Sequence, residues 1–160
     1  MTPEELLVHL DALGLATTTY RHAAVFTVDE SKALRGDMPG GHCKSLFLKD
    51  KKGQLWLVVA LEDRAIDMKE LRRRIGAAQL SFGKPELLVE VLGVVPGSVT
   101  PFALVNDPDQ QVNVVLDAEM MTFDPLNYHP LTNTATTAIT ADGLLAFIAD
   151  CGHEARIVEL

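Results

Sequence analysis

Cysteine is scarce: Cys43 and Cys151 are the two in 160 residues, far apart and without Cys-x-x-Cys spacing. That excludes a disulfide framework and disfavours a structural zinc site, so both are expected as reduced thiols. No apolar run reaches the length of a membrane span, and the start, Met1-Thr2-Pro3-Glu4-Glu5, sets no basic region ahead of an apolar one. A cytoplasmic location without membrane contact is expected. Positive charge is also short, 14 Lys and Arg against 22 Asp and Glu for a formal net charge of −8. This excludes coating of nucleic acid by bulk electrostatics. The strong chemical motifs are missing as well: no dinucleotide or Walker glycine loop, no His-Glu-x-x-His and no Gly-x-Ser-x-Gly. The five histidines, His9, His22, His42, His129 and His153, lack ligand spacing, so neither metal nor cofactor is expected.

What is present is an ordinary globular composition, 48% hydrophobic and 22% charged, in a length suited to one domain over 1–160. The charge is uneven. Residues 44–84 hold 10 of the 14 basic side chains against five acidic ones, a local +5 on an otherwise acidic chain. That suits contact with a short nucleic-acid end, although Arg72-Arg73-Arg74 is more simply the solvated face of a helix.

The stretch 40–50 organises the rest. Gly40-Gly41 frees the backbone, His42-Cys43-Lys44-Ser45 follow, and Leu46-Phe47-Leu48 continue as a strand. The charged run 49–52 and Gly53 turn the chain into the apolar 54–61, completing a β-hairpin whose second strand is buried on both faces. Lys44 therefore stands at the entrance to buried structure, where an ammonium favours an anionic partner. Cys43 cannot pair with His42 as a nucleophile, because neighbours on a strand face opposite ways.

Before the hairpin, Thr2 and Pro3 start a helix that Gly14 ends, 16–21 is a strand, and Thr27 or Asp29 caps a short helix to about Leu34. After it, Asp67 caps a helix ending near Gly76, and Pro85 opens another stopped by Gly93. Residues 94–102 form a loop fixed by Pro96 and Pro101, 112–116 a buried strand, and 117–121 a turn or brief helix. A polar loop from 127 passes into a Thr-rich strand, a helix begins near Asp142, and 156–160 closes as a strand. The irregular alternation predicts an α+β fold, with a mixed, largely antiparallel sheet flanked by helices.

Three separated loops stand out: the glycine-led entrance to Lys44, the turn Gly97-Ser98-Val99-Thr100-Pro101, and 129–134. A glycine between prolines can present consecutive N–H groups from a stiff scaffold, as an oxyanion requires. Taken with 22–31, Gly41-His42-Cys43-Lys44-Ser45-Leu46-Phe47-Leu48-Lys49-Asp50 and His129-Pro130-Leu131-Thr132-Asn133-Thr134, this turn closely resembles the YbaK/ProX family over nearly the whole chain. These are free-standing relatives of the editing domain of bacterial prolyl-tRNA synthetases, and the sequence resembles the branch that removes alanine from tRNA for proline.

The resemblance implies aminoacyl-ester hydrolysis without metal, cofactor or covalent nucleophile. By that resemblance Lys44 holds the terminal phosphate or ribose, while the amides of the 97–101 loop, with Gly97 and Ser98 foremost, meet the ester carbonyl. Val99, Thr100, Pro101, Ser45, His129 and Asn133 close the pocket, and Phe26, Thr27 and Val28 form its walls. Water attacks, assisted by the free ribose hydroxyl. The implied partners are the acceptor end of aminoacylated tRNA and, beyond it, prolyl-tRNA synthetase or an elongation factor. Ser45 stands where the family often has asparagine, which keeps cysteine or serine open as the amino acid removed. A non-catalytic module binding an aminoacyl adenosine or a protein partner is the competing class.

Overall fold

The structure, a computed structural model, describes residues 1–24, 27–35 and 38–160. Thr2 caps α1 (Pro3–Ala12): its hydroxyl accepts from the Glu5 amide while the Glu5 carboxylate accepts from the Thr2 amide. Strand β1 (Thr17–Arg21) and α2 (Val28–Arg35) follow, and of the two candidate caps Thr27 is used, its hydroxyl accepting from Glu30 N–H. The hairpin forms as expected from β2 (Gly41–Asp50) and β3 (Leu55–Leu61). Next come α3 (Met68–Ile75), capped by Asp67 and closed by left-handed Gly76, then β4 (Leu80–Phe82) and α4 (Pro85–Leu92), closed by left-handed Gly93. A 3₁₀ turn over Pro101–Asn106 leads to β5 (Val112–Asp117), and another over Met120–Thr122 to β6 (Leu126–Tyr128). β7 (Ala135–Ile139), α5 (Ala141–Asp150) and β8 (Ala155–Val158) complete the chain.

The eight strands of the described residues join one sheet, in the order β1-β7-β6-β2-β3-β5-β8 with β4 beside β2. β1/β7, β7/β6, β2/β3 and β2/β4 are antiparallel; β6/β2, β3/β5 and β5/β8 are parallel. The mixed sheet flanked by helices is thus the predicted one. β4 and β6 depart from expectation, the first unassigned and the second read as the start of a polar loop. At three residues each they carry no periodicity, and only pairing to β2 defines them.

The sheet buries both faces in its middle. On one, Phe47, Leu57, Val59, Val114 and Leu116 pack against α1, α4 and α5, with Phe102 stacked edge-on to Phe147 at 5.3 Å and to Tyr128 at 6.0 Å. On the other, Leu48, Trp56, Val58 and Val115 meet Leu71 and Ile75 of α3. β3 supplies both cores in alternation, which is why its sequence is apolar without interruption. At the mouth of β2, Gly40 has φ +98°, and a Cβ there would fall 2.2 Å from the Pro125 carbonyl oxygen. Only glycine lets β2 start against the chain entering β6. Among the described residues no helix is long and apolar enough to cross a membrane.

Candidate functional site

Where β2 leaves Gly41, its first residues pair in parallel with β6, and from Cys43 onward it pairs with β3. The strands diverge around a hollow of about 40 Å³, lined by Met38, His42, Cys43, Ser45, Glu62, Val99, Asn127, Tyr128, His129 and Thr136. It draws on all three loops singled out in the sequence. From those predicted positions it brings together Ser45, Val99 and His129.

The other candidates lie differently. Lys44 is not in the wall: its neighbours Cys43 and Ser45 are, and alternation turns Lys44 to the other face of β2. There its ammonium donates to the Arg64 carbonyl. Burial pushes the Lys44 ammonium below the usual lysine range, the Asp63 carboxylate opposes that, and the Arg64 guanidinium adds to it. Asp63 also pairs with Lys32 of α2.

The 97–101 turn is held from within. Gly97 takes φ +92°, and Ser98 N–H donates to the Val95 carbonyl at 3.0 Å, so that amide is committed to the turn. Thr100 is buried, its hydroxyl accepting from Phe102 N–H at 3.3 Å, and Pro101 opens the 3₁₀ turn with no N–H to give. Val99 is the residue of this turn that reaches the hollow. Thr27 is exposed at the α2 cap, and Asn133 stays in the 129–134 segment outside the wall. Phe26 lies outside the described residues, as does the side chain of Val28.

His129 is fixed by the strand that follows it. Its Nδ1 donates to the Ala135 carbonyl at 3.1 Å, which leaves Nε2 as an acceptor in the neutral ring. Burial lowers its pKa below the ordinary imidazole value; the Ala135 bond opposes this, and His22 reinforces it. Burial also pushes the Cys43 thiol up to about 12. Tyr128 spends its hydroxyl on the Met120 sulfur at 3.3 Å.

Glu62 and Asn127 are among the wall residues that sequence reasoning missed, with Met38, His42, Cys43, Tyr128 and Thr136. Glu62 is 8% exposed and directly follows the apolar run of β3, so a carboxylate at the end of a buried strand was the available signal. Asn127 is 3% exposed; its Nδ2 donates at 3.0 Å to both the Pro39 and Gly41 carbonyls, clasping the entry to β2. Among the described residues no cluster of three or more His, Cys, Asp or Glu side chains gathers as a metal site.

Residues 22–147 match the model of the aminoacyl-tRNA editing domain. The chain is 40% identical over 152 residues to prolyl-tRNA synthetase associated domain-containing protein 1 of Danio rerio, covering 94% of this chain and 83% of that one. It is 32% identical over 158 residues to the prolyl-tRNA editing protein ProX of Acetoanaerobium sticklandii, covering 98% and 96%. The fold superposes on the crystal structure of a candidate trans-editing enzyme for prolyl-tRNA synthetase with a TM-score of 0.74 at 21% identity, covering 100% and 98% of the two chains.

Proposed function

The chain belongs to the aminoacyl-tRNA editing domain family, of the YbaK/ProX type, and on that premise we propose that it hydrolyses alanine from mischarged tRNA for proline. A synthetase pocket built for proline cannot exclude the smaller alanine by size, since one missing methylene is worth only ~1–3 kcal/mol. A second and smaller pocket supplies the missing selectivity.

The observation that carries this reading is the size and position of the hollow. At about 40 Å³ the hollow is small, which suits a small acyl group better than one carrying a bulkier ring. Its wall is shared by Val99 of the 97–101 turn and by His42, Cys43 and Ser45 at the entrance to β2.

In the proposed reaction the alanyl group enters the hollow, and Val99 N–H, at the only residue of its turn that reaches the wall, faces the ester carbonyl. Water adds to that carbonyl, assisted by the free ribose hydroxyl. The acyl–oxygen bond breaks, its electron pair leaves with the ribose oxygen, which takes up a proton, and alanine departs. Amide donors positioned beforehand contribute most where charge develops on oxygen. Lys44, beside the hollow and not in it, holds the terminal phosphate. Its ammonium exchanges the Arg64 carbonyl for that phosphate, a gain because the phosphate is an anion and the carbonyl is not.

The test is release of alanine from alanyl-tRNA(Pro) by wild type and Lys44→Ala side by side. Lys44→Ala is expected to fall by about a hundredfold or more, the order of one lost charge-assisted contact in the transition state, with an unchanged thermal melt. Equal rates would remove Lys44 from the mechanism.

A further inference from the structure

Asn127 carries an acceptor that nothing among the described residues uses. Two carbonyls, of Pro39 and Gly41, take both hydrogens of its Nδ2. Carbonyls only accept, so the amide orientation is determined and Oδ1 must occupy the other side. That oxygen is fully buried and has no hydrogen-bond partner among the described residues. A buried orphan acceptor is costly to keep, about 1–3 kcal/mol, unless something arrives to use it.

Its surroundings say what that something is. Glu62 lines the same hollow as a buried carboxyl side chain, and His129, with Nδ1–H committed to Ala135, retains Nε2 as an acceptor. An unused amide oxygen and an imidazole lone pair on one small hollow call for a small group with several N–H donors. An aminoacyl ester brings one, its α-ammonium, with three.

We propose that Asn127 Oδ1 receives the α-ammonium of the aminoacyl group, making the hollow selective for a free primary amine on the ester's α-carbon. The inference rests on the deacylase reading but adds a requirement that reading lacks. Peptidyl, formyl-aminoacyl and hydroxyacyl esters are refused, although their acyl side chains are just as small. A prolyl group is also at a disadvantage, because its ring amine offers one donor fewer.

The experiment compares alanyl-tRNA(Pro) with lactyl-tRNA(Pro), in which a hydroxyl replaces the ammonium, on wild type and Asn127→Ala. Wild type is expected to prefer the alanyl ester in kcat/KM by about tenfold or more, and Asn127→Ala to lose most of that preference. A purely structural role for Asn127 would lower both substrates by one factor and leave the ratio intact, which would overturn the proposal.

Since Asn127→Ala also releases Pro39 and Gly41, a second arm uses wild type alone. Binding of the inert amide analogues 3′-alanylamino- and 3′-lactylamino-3′-deoxyadenosine is measured by calorimetry. Tenfold tighter binding of the alanyl analogue supports the ammonium site even if no ester is cleaved, in which case only the deacylase reading fails. Equal binding of the two overturns the site whether or not esters are cleaved.

Discussion

A single side chain of the hollow, His129, ties the site to pH. Its folded pKa lies below the ordinary imidazole value because the ring is buried. Between that depressed value and about 6.5 the unfolded chain binds the proton more readily than the folded one. The stability contributed is present above about pH 6.5 and is lost as pH falls through the folded pKa. Unfolding free energies measured in urea at pH 7.5 and 5.5 are expected to drop more for wild type than for His129→Gln, which keeps a donor for Ala135. Identical drops would mean that the ring is not held neutral. At this scale the sequence was legible where chemistry is local. Ser45, Val99 and His129 came from recognisable loops, whereas Glu62 and Asn127 did not. Nothing in the order of residues says that both amide hydrogens of Asn127 are consumed by carbonyls 86 and 88 residues away.

Among the elements, the β2–β3 hairpin bears the site and depends on one carboxylate at its far end. Asp50 is 5% exposed; Oδ1 accepts from Lys52 N–H at 2.9 Å and Gln54 N–H at 3.0 Å, and Oδ2 accepts from Trp56 Nε1 at 3.2 Å and Ala78 N–H at 3.3 Å. Burial alone would raise its pKa, but these donors, Trp56 foremost, outweigh burial and hold it below the ordinary carboxylate value. The stability it supplies is therefore present above about pH 4 and lost as pH falls through the folded pKa. Asp50→Ala is expected to cost about 2–4 kcal/mol, read as a lower urea midpoint; a cost under about 0.5 kcal/mol would show that the turn holds without it. The hairpin and the capped helices were readable because propensity, caps and glycine stops agree there. The 3₁₀ turn over Pro101–Asn106 was not. Proline and a buried apolar run can serve loop or helix, and the choice is made by packing of Phe102 between Tyr128 and Phe147.

For the molecule as a whole, the basic cluster of 44–84 proves less available than its charge suggests. Arg64 Nε is bound to buried Asp117 at 2.8 Å, the same guanidinium also pairs with Glu119, and it donates to the Leu160 main-chain oxygen. Arg73 and Arg74 both pair with Glu70 on the surface of α3. Lys49, Lys51, Lys52, Lys69 and Lys84 remain exposed. Lys49, Lys51 and Lys52 stand at the turn end of the hairpin, so of the basic residues in 44–84 it is Lys44 that adjoins the wall of the hollow, between Cys43 and Ser45, an arrangement suited to gripping the end of an RNA and not its length. The mixed sheet was foreseeable from the alternation of elements, but its strand order was not. The parallel crossovers from β3 to β5 and from β5 to β8 are set by which faces the helices must cover.

The most direct test of the central claim, that a small hollow sorts alanine from proline on one tRNA, is the ratio of kcat/KM for alanyl-tRNA(Pro) over prolyl-tRNA(Pro) with the wild-type protein. The account predicts release of alanine with a preference of about a hundredfold or more, because a bulkier ring suits a small hollow less well and brings one ammonium donor fewer. Equal cleavage of both esters, or cleavage of neither, would contradict it.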